Sequence, residues 1–562
     1  MDIKRTVLWA VFSISGLMLY NNWLVHEGKP SLFSTGPATT QSVEKTTTAV
    51  SKGDVPTQIS GAQKTSTPIP PAPASLESGE KFEIKNDVLS LEISANGASV
   101  IQAKLLKELE EDQKPVELFQ INSNRQYFAR SGLISIGNSD LPNHTTLFKL
   151  QQSGKDGSGR PFITLIAERS GVKLEKTFAL NAGSYVVDVN HRITAINPAG
   201  SPVVLYTELV RDGITNKESQ FYSTFTGPAV YTEKEKFNKL EFSDIEKNKI
   251  KIPTQVTAGE PAWVAMVQHY FASAWIPGDQ PARDIYAGKI DNGLYRIGMQ
   301  IPLGTLTPGS AVEEKAKLFV GPQEESVLET IAPGFALLKD YGYLTILAKP
   351  IFWLLEKIHG LVSNWGLSII LLTVLIKLVF FPLSAASYKS MARMKEVQPR
   401  LMAMKEQYKG DPQKLNQAMM EMYKKEKINP VGGCLPVVIQ IPVFISLYWV
   451  LLSSVEMRNV SWLWVNDLAK PDNFFGVLPF INVPIGILPI VMAISMFIQT
   501  RLNPTPPDPI QAKVMLYMPI VFSLMFFNFP AGLVLYWVVN NVLSIAQQWQ
   551  INKMFGKREV AK

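Results

Sequence analysis

The pattern of apolar and polar positions splits the chain into two unlike halves. From about Lys81 to Pro333 it alternates, as in Phe82-Glu83-Ile84, Val172-Lys173-Leu174-Glu175-Lys176 and Tyr185-Val186-Val187-Asp188-Val189. Alternation with period two puts apolar side chains on one face of a strand and polar ones on the other. Many such short runs, separated by turn signals such as Ser170-Gly171, predict a large antiparallel β-sandwich over 81–335. Beyond it the alternation gives way to apolar runs of spanning length, predicting membrane helices at about 362–383, 431–455, 477–499, 513–529 and 531–550. Residues 336–360 mix Leu338, Tyr341, Leu344 and Trp353 with Lys339, Lys349 and Lys357, and Pro350 interrupts them. That mixture predicts an amphipathic helix lying flat on the outer face of the bilayer.

At the start, Lys4 and Arg5 precede an apolar stretch from Thr6 to Val25, with no clear small-x-small site after it. The expectation is an uncleaved transmembrane anchor over 1–26. Residues 27–80 are rich in Ser, Thr, Pro, Gln and Gly and cannot bury enough apolar surface to order themselves, which predicts a disordered tether. The anchor makes six spans, so both termini share one side. Lys4 and Arg5 at one end, and Lys553, Lys557 and Arg558 in a basic tail over 553–562, assign that side to the cytoplasm. The segment 384–430 carries ten Lys+Arg against five Asp+Glu, so it is expected to be cytoplasmic too. Gly410 as a helix stop, Asp411 as a cap and Pro412 at a first helical position predict a helical hairpin there. Spans three to six then occupy 431–552.

Charge follows the same division. From Ala336 onward there are 22 Lys+Arg and 12 Asp+Glu; the rest of the chain holds 33 and 36. A basic excess confined to the apolar half fits positive cytoplasmic loops rather than a nucleic-acid surface. The single cysteine, Cys434, excludes an intrachain disulfide and reads as a buried packing residue. The sandwich region contains His144, His191 and His269 but no HExxH, GxSxG or glycine-rich phosphate loop, so no enzyme, metal or cofactor is expected.

One charge changes the picture. Lys377 lies inside the run Trp365–Leu383, where an ammonium costs roughly 2.5–3.5 kcal/mol on insertion scales. It stands six residues from Leu383, within reach of snorkelling to the headgroups. The alternative is a water-filled cavity lined by protein. Thr373 lies one turn before it; Gln440, Gln499, Asn540 and Asn541 are polar positions in other spans, and none of the predicted spans after the anchor contains a carboxylate. A cation without an acidic partner implies water at that depth. Pro436, Pro442 and Pro519 are expected to interrupt their spans and free backbone carbonyls. Phe444, Tyr536 and Trp537 are candidate walls of the resulting hollow. Seven methionines between Met391 and Met422 offer either an adaptable apolar surface or packing within the hairpin. The hairpin's basic face could meet anionic lipids or ribosomal RNA.

The segment Lys427-Ile428-Asn429-Pro430-Val431-Gly432-Gly433-Cys434-Leu435-Pro436, continuing to Gln440, Pro442 and Phe444, resembles the third-span signature of the YidC/Oxa/Alb family of membrane protein insertases. Phe529-Pro530-Ala531-Gly532, continuing to Tyr536-Trp537, resembles its last span. The resemblance implies a non-enzymatic insertase and chaperone of the bacterial inner membrane. In this reading a periplasmic β-supersandwich, similar in fold to sugar mutarotases, accompanies a five-helix core. The implied groove is hydrated, positively charged, open to cytoplasm and lipid, and closed outward. The resemblance places groove contacts at Lys377, Thr373 and Trp537; with Gln440, Phe444 and Tyr536 from the pattern of polar and wall positions, these six are the candidate substrate-groove residues. Position 377 is usually arginine in the family and position 537 usually tyrosine. The implied partners are nascent membrane proteins, the Sec translocon (SecYEG and SecDF-YajC), the ribosome, the signal recognition particle receptor and anionic lipids. Two rivals are a transporter, disfavoured by the missing acidic relay and repeat, and a sugar-binding protein using the β domain.

Overall fold

The computed structural model describes residues 79–559 except 111, 136–139, 198–200, 216–223, 291–292, 409, 427–434, 479–482 and 503–508. The anchor expected at 1–26, nearly all of the 27–80 tether, the stretch Lys427–Cys434 and the last residues of the tail lie outside the described residues.

Alternation becomes strands as expected. In chain order they are β1 (Lys81–Lys85), β2 (Leu89–Ser94), β3 (Ser99–Leu109), β4 (Pro115–Ile121), β5 (Gln126–Ser135), β6 (Lys149–Lys155), β7 (Pro161–Arg169), β8 (Val172–Leu180), β9 (Val186–Ala195), β10 (Val203–Asp212), β11 (Gly227–Thr232), β12 (Lys236–Lys239), β13 (Gln255–Val256), β14 (Ala262–Val267), β15 (Phe271–Pro277), β16 (Arg283–Ile290), β17 (Leu294–Gly304) and β18 (Ala311–Pro322). They form two antiparallel nine-stranded sheets, ordered β1-β2-β3-β4-β5-β10-β17-β16-β13 and β12-β11-β14-β15-β18-β9-β8-β7-β6. Ser170 and Gly171 join β7 to β8 with φ of 48° and 70°, the two positive values that a tight hairpin turn requires. Facing side chains such as Phe119, Tyr127, Leu205 and Ile297 from the first sheet and Trp263, Trp275 and Phe319 from the second share one core. Tyr127 Oη lies 2.5 Å from Ser273 Oγ, and Trp275 Nε1 donates to the Glu208 carbonyl at 3.1 Å, so polar groups also bridge the sheets. The three histidines do not converge. His144 pairs with Tyr206 at 2.6 Å, His191 with Ser131 at 2.9 Å, and His269 with the Leu452 carbonyl at 2.8 Å.

The helices are α1 (Phe242–Glu246) and α2 (Glu325–Ile331) in the β half, then α3 (Thr345–Val362), α4 (Trp365–Val379), α5 (Phe381–Gln407), α6 (Pro412–Lys425), α7 (Leu435–Ser453), α8 (Ile487–Leu502), α9 (Pro509–Phe526) and α10 (Ala531–Glu559). Several boundaries correct the sequence reading. The helix expected over 336–360 is a short 3-10 turn, Phe335–Leu338, followed by α3, and Pro350 lies inside α3 without ending it. The helix of the second expected span ends at Val379 rather than Leu383; Phe380 caps it, and the chain bends by 68° into α5. Pro442 and Pro519 likewise sit within continuous helices. Two short strands, Val477–Leu478 and Val483–Pro484, take the start of the expected fourth span. The last helix runs unbroken to Glu559, through the start of the supposed tail, because Gln, Lys, Met and Arg are good helix formers.

Among the described residues no single helix is long and apolar enough to cross a membrane; α4 and α5 together meet that test as a bent pair. Yet the helical half exposes apolar stripes. Leu367, Leu371, Leu375 and Leu378 recur along one face of α4, and Ile490, Val491, Ile494, Phe497 and Ile498 lie exposed on α8. Such contiguous apolar surface needs a cover that water does not supply.

Gly410 and Asp411 lie between α5 and α6. Gly410 has φ 107°, and the Asp411 side chain accepts from Lys414 N at 3.1 Å with Pro412 in the first turn. The methionines divide between the two readings: Met394, Met404, Met419 and Met422 pack around Val397 and Leu401 between the helices, while Met402 and Met420 are exposed.

Polar contacts cross between the halves, and one ion pair, Lys339 with Glu456, lies beside them within the helical half. Lys339, with 1% of its side chain exposed, donates to Glu456 at 2.7 Å and lies 3.8 Å from the centre of the Phe352 ring. Arg458 pairs with Glu110 at 3.0 Å, and Asn459 donates to the Leu109 carbonyl at 2.7 Å. Tyr341 donates to Glu325 at 2.6 Å.

Candidate functional site

Helix α10 organises the helical half, packing against α4, α5, α7 and α8. Its residues Asn540, Ser544 and Gln548 recur every fourth position, so they align on one face. All three are buried, with exposures of 7%, 2% and 2%. Lys377, in the last turn of α4, donates to Ser544 Oγ at 2.7 Å. Ser544 Oγ in turn donates to the Asn540 carbonyl at 2.7 Å, and the Asn540 side chain accepts from Gln440 Nε2 of α7. Asn541 donates to Ser495 of α8 at 3.1 Å. The result is a chain of neutral groups ending on one cation. Among the described residues no carboxylate lies within ion-pair distance of Lys377.

Beside the ammonium, a recess of about 20 Å³ lies between Ile376, Lys377, Phe380, Leu383, Ser384 and Gln440. A water needs ~10–15 Å³ on this measure, so the recess holds roughly one. The aromatic candidates form a second cluster. Phe444 of α7 meets Trp537 of α10 edge-on at 4.4 Å, and Phe526 lies 5.4 Å from Trp537. Among the described residues Trp537 Nε1 is buried with no hydrogen-bond partner. Unsatisfied buried donors of this kind cost about 1–3 kcal/mol each.

Of the six sequence candidates, Lys377 and Gln440 share the polar chain, and Phe444 and Trp537 share the aromatic cluster. Tyr536, 1% exposed, belongs to the apolar core. Thr373 is fully buried, and its hydroxyl donates to the Ile369 carbonyl at 2.7 Å within its own helix. Sequence reasoning missed Ser544, Ser495 and Phe526. The four-residue spacing from Asn540 to Ser544 was the available signal.

The family described as 60Kd inner membrane protein matches residues 357–558, and the YidC periplasmic domain matches 81–354. A membrane protein insertase YidC from Polynucleobacter necessarius is 71% identical over 99% of this chain and 100% of its own length. The chain belongs to the YidC family of membrane protein insertases. Another YidC, from Cupriavidus necator, is 57% identical over 100% of this chain and 99% of its own. A crystal structure described as an active YidC insertase is 18% identical, covers 84% of this chain and 92% of its own, and gives a TM-score of 0.39. The YidC family is not a family of enzymes, and its periplasmic domain coincides with the two-sheet half.

Proposed function

We propose that this chain receives nascent inner-membrane proteins in a hydrated, positively charged groove open to the cytoplasm and to lipid, and releases them laterally into the bilayer. It does so alone or beside the Sec translocon, SecYEG with SecDF-YajC. The observation that carries this reading is the Lys377–Ser544 bond, which holds a cation with no carboxylate partner among the described residues beside a recess for water. A charge in an apolar helix bundle marks a pathway rather than packing. Six spans place both termini in the cytoplasm and the sandwich in the periplasm. Lys377, Gln440, Phe444 and Trp537 contact the passing segment, while Thr373 and Tyr536 shape the wall behind them. The basic hairpin over 384–430 delivers substrate, meeting anionic lipids, the ribosome and the signal recognition particle receptor.

Photocrosslinking amino acids at 377, 373 and 537 test the reading against a stalled nascent chain. Adducts are expected from 377 and 537 and weakly from 373. Labelling at none of these, with adducts only from the lipid-facing Leu371 and Leu375, would remove the groove.

A further inference from the structure

A cleft of about 520 Å³ opens on the sandwich where the β8–β9 loop, β3 and β18 meet helix α2. That volume lies within the ~300–1,000 Å³ usual for ligand sites. Among the described residues, three of its groups lack a hydrogen-bond or ion-pair partner: the carboxylates of Glu108 and Glu324 and the hydroxyl of Tyr185. Tyr185 is only 8% exposed, and its Cβ lies 2.7 Å from where a side chain on Gly321 would begin, so the ring is wedged over bare backbone. Burial raises the Glu108 carboxyl above its ordinary range; Arg458 opposes this, and Glu324 and Glu456 add to it. Burial also raises Glu324, with Glu456 adding and Lys339 and Lys107 opposing. The Tyr185 phenol is raised by burial and then by Glu108, Glu324 and Asp87. The other charges on the lining are mostly committed. Lys107 pairs with Asp87 at 3.7 Å and Asp188 with Arg160 at 3.4 Å, which leaves Lys317 on the rim.

We propose that this cleft binds the protonated amine of a lysine side chain carried by an extended stretch of exported polypeptide. An ammonium has three donors, and two carboxylates with one phenol oxygen supply three acceptors. A cation between the carboxylates removes their mutual repulsion, and Val327 and Ile331 offer an apolar wall for the lysine stem. The cleft adjoins the helical half, since Glu110, two residues beyond Glu108, pairs with Arg458 of the 454–472 loop at 3.0 Å. A polypeptide source rests on the insertase reading; the amine chemistry does not.

The test uses the full chain in nanodiscs at pH 8 and a fluorescent Ala-Ala-Lys-Ala-Ala peptide against its Nε-acetyl-lysine counterpart. Anisotropy is expected to give at least fivefold tighter binding of the free amine. That preference should vanish in the Glu108→Gln/Glu324→Gln variant, weaken about threefold in Tyr185→Phe and survive in the exposed control Glu83→Gln. Equal binding of the two peptides to the unmodified protein overturns the proposal, as does a preference that survives the double substitution. Displacement of the peptide by equimolar phosphoethanolamine would assign the cleft to a lipid headgroup and overturn the polypeptide. Insertion of a substrate with no lysine in its exported tail should stay normal in the double variant, which separates failure of this site from failure of the groove.

Discussion

Replacing Lys377 tests whether its charge acts on substrate. A carboxylate brought to about 4 Å from the ammonium is attracted by ~1 kcal/mol in water and ~4 kcal/mol at an effective dielectric of 20. The recess beside Lys377 admits roughly one water, so the site lies between these limits. Desolvating the incoming carboxylate returns part of the gain, leaving about 1–3 kcal/mol, or ~5–150-fold in occupancy. Lys377→Ala is therefore expected to slow insertion of a substrate with an acidic exported tail by that factor, and of a neutral-tailed substrate by less than ~2-fold on the same arithmetic. Lys377→Arg keeps the charge and should retain most activity. Ser544→Ala removes only a neutral acceptor, worth about 0.5–1.5 kcal/mol, and should fall between them. The assay is insertion into proteoliposomes at matched protein level, with paired substrates differing only in tail charge. Equal rates for both tails in the alanine variant would refute the electrostatic reasoning.

Three further outcomes are expected. Glu456→Leu strands Lys339 as a buried unpaired cation, at a cost of about 3–5 kcal/mol, and should raise proteolysis near 335–345; adding Lys339→Met should restore protection, and a double variant as labile as the single one rejects the ion-pair account. Burial pushes Lys176 down to about 7 and His191 to about 3. Each folded value lies below its unfolded one, so the unfolded chain holds more protons between them and stability rises with pH. Thermal unfolding of the sandwich should therefore gain stability from pH 7 to about 10.4 and lose it below about 6.5, with Lys176→Gln flattening the upper window. Deleting 384–430 should abolish delivery of nascent chains while the sandwich melts unchanged; normal insertion by the deletion contradicts the hairpin's role.

The sandwich was legible because strand alternation is a local signal, repeated often enough to outweigh individual errors. Burial along β8 keeps the predicted rhythm, and Ser170-Gly171 turns where positive φ was needed. The Gly410-Asp411-Pro412 boundary was legible for the same reason: its capping bond spans three residues. The span ends were not. An apolar run says how far a segment can be buried, not where its helix bends, and the break at Phe380 falls inside uninterrupted apolar sequence. Ser544 was hidden because its partner stands 167 residues away, and the ion pair of Lys339 with Glu456 because its residues are 117 apart. Thr373 shows the opposite failure: its position was correctly placed one turn from Lys377, but a hydroxyl inside a helix readily bonds the carbonyl four residues back.

The bend at Phe380 also changes how Lys377 is explained. Sequence weighed snorkelling towards headgroups against an enclosed cavity, both measured from an end at Leu383. With α4 ending at Val379, the lysine occupies the last turn, where the partial negative charge of unpaired carbonyls favours a cation by about 0.3–1 kcal/mol. Its side chain reaches inward to α10 rather than outward to the surface. The serine it meets has already given its proton to the Asn540 carbonyl, so its oxygen can only accept. Asn540 is tied in turn to Gln440 on α7. This fixed sequence of donors selects a hydrogen-bond donor at the end of the chain and would leave an acceptor there facing another acceptor. A glutamine at 377 could satisfy Ser544 through its amide, but it would bring no charge to the recess. Lys377→Gln thus separates the lysine's two duties, and only loss of acidic-tail insertion with an intact fold is consistent with a cation kept for the substrate.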